Sequence, residues 1–91
     1  MYYVYILLSL KDNKFYTGKT NDLTKRLIRH NKGFVRSTKH RRPFILIYFE
    51  KYNSAKEAFL REIELKKPSA GKFKNKLREK LTIKYSPVAQ W

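Results

Sequence analysis

The chain alternates compact apolar runs with polar, strongly basic stretches. Tyr2 to Leu8 is aromatic, β-branched or leucine at every position. An apolar run without alternation predicts a strand buried on both faces. Lys11-Asp12-Asn13-Lys14 follows as a polar turn, and Phe15 to Thr20 predicts a short second strand, which makes a hairpin. Gly18, near the end of that strand, suggests a close backbone approach or a bend. Thr20-Asn21-Asp22 is a helix start: Asn21 or Thr20 can cap, and Asp22 suits the dipole of the first turn. The helix is expected from Asp22 to about Asn31, with Leu23, Leu27 and Ile28 as its apolar stripe and Gly33 as its stop. A basic loop over residues 34–42 leads to Pro43, which opens a third strand, Phe44 to Tyr52, again apolar on both faces.

Ser54-Ala55-Lys56-Glu57 has the form of a capping box. The helix it opens carries Ala55, Ala58, Phe59, Ile63 and Lys66 at helical spacing and ends before Pro68. A third, basic helix is expected from Ser69 to about Leu81, anchored by Phe73 and Leu77. The order β-β-α-β-α-α predicts an α+β domain, a small three-stranded antiparallel sheet flanked by helices. We place the domain at residues 1–82 and a C-terminal tail at residues 83–91.

Composition narrows the class. A chain of 91 residues supports one domain. It has no cysteine, so disulfides and thiolate metal sites are excluded. Val4 to Leu8 and Phe44 to Phe49, the longest apolar runs, fall far short of a membrane span. The N-terminus has the character of a strand, not of a signal peptide, and the expected compartment is the cytoplasm.

Charge changes the picture most. The formal net charge is +15, with 22 Lys and Arg against 7 Asp and Glu. Self-repulsion on that scale reflects a polyanionic partner. Arg36 to Arg42 holds four basic residues and no acid, and Lys66 to Lys84 holds eight with one acid, Glu79. Clustered cations of this kind suit nucleic acid, through counterion release. The basic segments lack the apolar face of an interfacial helix, so a membrane surface is the weaker alternative. We expect nucleic acid, DNA first, as partner and no membrane; the sequence leaves the oligomeric state open, a monomer being favoured.

Three features break their local pattern. Tyr5 lies mid-strand where both faces are buried, so its hydroxyl needs a partner; Tyr16, in the next strand, comes near it if the register allows. Arg26 and His30 lie four apart on one helix face. Taken alone they read as a solvated polar edge, yet a cation and an imidazole aimed at one point also suit phosphoryl transfer. Glu62 falls on the stripe of Ala55, Ala58, Phe59 and Ile63, where an apolar residue is expected. A carboxylate there needs a partner: a nearby Lys or Arg, or a metal such as Mg²⁺, which one or two protein carboxylates can hold.

With these residues in place, the chain resembles the GIY-YIG nuclease domain, in particular its small single-domain bacterial members. The first motif stands here as Tyr3-Val4-Tyr5 and the second as Tyr16-Thr17-Gly18, with ten residues between Tyr5 and Tyr16. Tyr3 replaces the glycine of the first motif, and Thr17 the isoleucine of the second. Asn21 to Asn31 carries the family's arginine as Arg26 and its helix histidine as His30. Arg42-Pro43, and Ala58 to Glu62 with Lys66, fit as well. The resemblance covers roughly residues 2–80.

It implies metal-dependent hydrolysis of a phosphodiester. By similarity, Tyr5 is the general base for water, Arg26 holds the phosphoryl oxygens, and Glu62 holds one Mg²⁺ or Mn²⁺. Tyr16 positions water or phosphate, Gly18 leaves room for backbone approach, and Asn75 is a further candidate. An ordinary phenol, with a pKa of about 10, is a poor base near neutrality; Lys19 and Arg26 would favour its ionisation and His30 could take its proton. Lys19 on the second strand, Arg36, Lys39, Arg41 and Arg42 in the loop, and Lys72, Lys74 and Lys76 on the third helix, are the expected phosphate contacts. They position a duplex without reading its sequence. The alternative reading is a nucleic-acid-binding module of the same fold without catalysis.

Overall fold

The computed structural model describes residues 1–84. The expected tail falls largely at residues 85–91, outside the described residues. Three strands form one antiparallel sheet in the order β2-β1-β3: β1 is Tyr2–Ser9, β2 Phe15–Thr20 and β3 Phe44–Tyr52. Helix α1 spans Leu23–Lys32, α2 Ala55–Lys66 and α3 Gly71–Lys84. Short 3₁₀ turns at Lys39–Arg41 and Pro68–Ala70 precede β3 and α3.

The central position of β1 explains its unbroken apolar run, because helices cover both of its faces. On one face Val4 and Ile6 pack with Ala58 and Leu65 of α2, and with Phe73 and Leu77 of α3. On the other, Tyr5 and Leu7 pack with Phe44, Tyr16 and Leu46 of the sheet and with Leu23 and Leu27 of α1. Strand β3 is an edge, and its side chains are mostly half-buried rather than apolar-packed on both sides.

Three details differ from the expectation. Asp22 itself caps α1, its carboxylate accepting from the Lys25 amide at 3.0 Å. Thr20 instead accepts from the Asp22 amide, at 3.1 Å, and turns the chain into that cap. Helix α3 runs three residues past Leu81, to Lys84. The third difference is the rotation of α2. Ala58 and Leu65 face the sheet, whereas Phe59 and Ile63 are exposed. Arg61 sets that rotation. Its guanidinium grips Glu50 of β3 at 2.8 and 3.0 Å, and Glu50 also accepts the hydroxyls of Tyr48 and Tyr52. A half-buried carboxylate with this many donors is stable only while Arg61 faces it.

Candidate active site

Register places the first tyrosine. Tyr5 pairs with Gly18 across β1 and β2, so both lie on the α1 side of the sheet. A β-carbon on Gly18 would stand 2.5 Å from the Tyr5 hydroxyl and 3.1 Å from Cε1 of Tyr16. Gly18 therefore provides the floor over which the Tyr5 hydroxyl lies. Tyr16 stands on the same face two residues earlier, its ring centroid 6.3 Å from that of Tyr5.

Helix α1 closes the site from above. Arg26 Nε donates to the Tyr5 hydroxyl at 3.3 Å, and His30 Nε2 lies 3.0 Å from the same oxygen. The Tyr16 ring meets His30 edge-on at 4.9 Å. His30 has no solvent exposure at all, so it is part of the core and not of a solvated polar edge. Its other nitrogen, Nδ1, lies 2.8 Å from the hydroxyl of Thr38, which donates to the Val35 carbonyl at 3.3 Å.

The ends of this chain fix its direction. A guanidinium only donates and a carbonyl only accepts. Arg26 therefore donates to Tyr5, Tyr5 donates to His30 Nε2, Nδ1–H donates to Thr38, and Thr38 donates to Val35. Neutral His30 carries its proton on Nδ1 and presents Nε2 to the phenol as a base. Thr38 is fully buried and was not among the expected site residues. A lone threonine in a basic loop gives no sequence signal that it reaches a helix.

Burial pushes the Tyr5 phenol up to about 12, against the pull of the Arg26 hydrogen bond; the charge of Glu62 adds to the rise. Burial first, then the charges of Arg26 and Arg29, hold His30 down at about 4. Arg26 is held protonated, chiefly by its bond to Tyr5, and Tyr16 adds to this. At rest the shared proton thus belongs to the Tyr5 oxygen.

This arrangement predicts a pH effect on stability. The folded pKa of His30, about 4, lies below its unfolded value of 6.5, so the unfolded chain takes up the proton first. Stability is full above pH 6.5 and falls as the pH drops towards 4, by about 3 kcal/mol in all. Asp12, held down to about 2 by Arg41, adds its own loss only below about pH 4. Urea unfolding from pH 7.5 to 4 checks this, and a midpoint unchanged down to pH 5 would contradict a buried neutral imidazole.

Glu62 comes from the other layer. It lies on α2 between the inward Ala58 and Leu65, with its side chain only 16% exposed, and pairs with Lys66 at 3.2 Å. It is close enough for its charge to bear on Tyr5. Among the described residues no three His, Cys, Asp or Glu converge as metal ligands. A single carboxylate still fits Mg²⁺ or Mn²⁺, which take hard oxygen donors and keep several waters. Lys66 is largely exposed, on a flexible stem that can swing aside.

The expected phosphate contacts divide. Arg36, Lys39, Arg42, Lys72 and Lys76 are exposed. Lys39 and Arg42, with Lys11, Asn31, His40 and Pro43, line a hollow of about 430 Å³. Arg41 bonds Asp12 at 2.7 Å and the Phe15 carbonyl at 3.1 Å. Lys74 is half-buried, 5.9 Å from the centroid of the Phe15 ring. Lys19 reaches over Phe59. Asn75 lies on α3, in the layer across the sheet from α1, and accepts from Arg78 at 2.7 Å.

Residues 1–83 match the family described as the GIY-YIG catalytic domain. The chain belongs to that family. Its relatives include the UPF0213 protein SH2523 of Staphylococcus haemolyticus, 46% identical over 66 residues, covering 71% of this chain and 79% of that one. UPF0213 protein YazA of Bacillus subtilis is 38% identical over 81 residues, covering 88% and 82%. The solution NMR structure of UPF0213 protein BH0048 from Bacillus halodurans is 33% identical, covers 97% and 90%, and superposes with a TM-score of 0.46. GIY-YIG domains are a family of nucleases, which are hydrolases of nucleic acid and generally use a divalent metal. No helix among the described residues is long and apolar enough to cross a membrane.

Proposed function

We propose that this GIY-YIG domain is a metal-dependent endonuclease that hydrolyses phosphodiester bonds of DNA, with Tyr5, Tyr16, Arg26 and His30 as its catalytic side chains. The observation that carries the reading is the directed chain from Arg26 through Tyr5 and His30 to Thr38 and Val35. It gives a buried phenol both a cation and a base.

Beyond His30 and Arg26, the Tyr5 oxygen keeps a lone pair that can accept a proton from water. As that water attacks phosphorus, its proton passes to Tyr5 while the proton of Tyr5 passes to His30 Nε2. The P–O ester bond breaks, and the leaving oxygen takes a proton from solvent. No free phenolate is needed, which suits a phenol pushed up to about 12. The phosphate anion beside Arg26 offsets one of the charges that depress His30, so substrate raises the basicity of the imidazole when it is required. Arg26 stabilises the charge that develops on the phosphoryl oxygens, and Tyr16 orients water or phosphate. Glu62 would hold the divalent ion, which when bound polarises the phosphate and steadies the leaving oxygen.

The test is cleavage of plasmid and branched DNA with Mg²⁺. Glu62→Ala and EDTA should each abolish cleavage, and Arg26→Ala should slow it by about a hundredfold or more. Full activity in Glu62→Ala removes the metal assignment, and full activity in EDTA removes the metal. The ion pair of Glu62 with Lys66 favours the second reading, a nucleic-acid-binding module without turnover. Tight binding without cleavage in either Mg²⁺ or Mn²⁺ would select it.

A further inference from the structure

Helix α2 turns three large apolar side chains to solvent beside Glu62. Phe59, Leu60 and Ile63 are 49%, 55% and 41% exposed. Ile63 lies four residues from Phe59 and three from Leu60, which makes it the helix neighbour of both. Lys19 extends over the Phe59 ring, with its Nζ 5.4 Å from the centroid. Lys19 follows Gly18, the residue over which the Tyr5 hydroxyl lies. Lys19 pairs with Val4, so its side chain lies on the α2 face of the sheet, opposite to Gly18 and Tyr5. Glu62, on the same helix as the shelf, is close enough for its charge to bear on Tyr5.

The chemistry of the shelf selects its occupant. A second copy of this chain would bring a charge of +15 against +15, which opposes self-association. A polyanion is attracted, but a paired duplex offers no flat apolar face, since each base is covered by its neighbours. An unpaired base does offer one. An exposed aromatic ring paired with a cation is the arrangement by which single-stranded nucleic acid is held, the base stacking on the ring and the cation meeting the phosphate.

We infer that Phe59, backed by Leu60 and Ile63 and partnered by Lys19, stacks on an unpaired nucleobase of the same nucleic acid whose scissile phosphate is held at Tyr5 and Arg26. The domain therefore selects nucleic acid in which a base has left the stack. This rests on the reading of the tyrosine site as the place of the scissile phosphate.

The experiment measures binding of the full chain in EDTA, where metal-dependent cleavage is absent. The probes are a DNA duplex with one bulged 2-aminopurine and the same duplex fully paired. The wild type should bind the bulged duplex more tightly and quench its fluorescence. Phe59→Ala should weaken binding to the bulged duplex by about tenfold and remove the quenching, with less than about twofold effect on the paired duplex. Phe59→Trp should retain both properties. Phe59 is half-exposed, and circular dichroism confirms that each variant is folded. Equal loss on both duplexes, or quenching that survives Phe59→Ala, overturns the inference. So does a wild-type dimer in sedimentation that Phe59→Ala dissociates, which would give the shelf to a second copy. Cleavage in Mg²⁺ is scored separately. A wild type that cuts while Phe59→Ala discriminates normally loses this inference alone. Phe59-dependent stacking without cutting loses the hydrolase reading alone.

Discussion

Tyr5→Phe should lower the rate of DNA cleavage by about 10²- to 10⁴-fold, the usual contribution of a positioned proton-transfer group, while the domain stays folded. Phenylalanine keeps the ring on Gly18 and in the core with Leu7 and Phe44. What disappears is the oxygen that joins Arg26 to His30. Two polar groups lose a partner, at a cost of about 1–3 kcal/mol in stability, which urea unfolding would measure beside the rate. The same logic reaches Thr38, which touches no substrate. Thr38→Val leaves Nδ1–H of His30 without an acceptor and favours the other tautomer, in which Nε2 carries the proton and no longer acts as a base towards Tyr5. Thr38→Ser keeps the hydroxyl and should recover most of the rate. Equal rates in Val and Ser variants would show that the proton does not travel through His30, and a Tyr5→Phe protein cutting at the wild-type rate would remove the phenol from the chemistry.

Much of the fold was legible because local signals and packing agree. The unbroken apolar run of β1 implied cover on both faces, and α1 and α2 supply it. Ser54 caps α2 as expected, accepting from the Glu57 amide at 3.1 Å. Ambiguity entered where several residues could do one task. Thr20, Asn21 and Asp22 all suit a helix start, and only the path of the chain selects Asp22. On α2, the pattern put Phe59 and Ile63 on the inward stripe with Ala58, whereas Leu65 takes the inward place and Phe59 and Ile63 are exposed. The pairing of Arg61 with Glu50, a contact distant in sequence, favours this rotation. The register of Tyr5 on Gly18 was hidden for a related reason: a strand apolar on both faces does not reveal which residue meets which. Thr38 was hidden because its role depends on a loop folding back to a helix eight residues away in sequence.

Gly18→Ala should be the most damaging single-methyl change in the protein. The new β-carbon would lie 2.5 Å from the Tyr5 hydroxyl oxygen, 2.6 Å from its Cζ and 3.1 Å from Tyr16 Cε1. The atoms in its way belong to a fully buried ring held by Arg26 and His30, so they have no free rotamer to move into. Overpacking of this kind costs about 1–3 kcal/mol. Displacing the hydroxyl also breaks the alignment of Arg26, Tyr5 and His30, so cleavage should fall by about a hundredfold even in protein that remains folded. Gly33→Ala is the control. Gly33 caps α1 with φ of +81°, where a side chain costs about 1 kcal/mol through backbone strain. Its β-carbon would meet the Arg42 guanidinium at 2.7 Å, the far end of a flexible side chain that can move aside. Gly33→Ala should therefore lose stability comparably and keep its rate. If instead both variants lose rate in proportion to their lost stability, the effect of Gly18 is on folding alone, and the close seat of the Tyr5 hydroxyl has no part in catalysis.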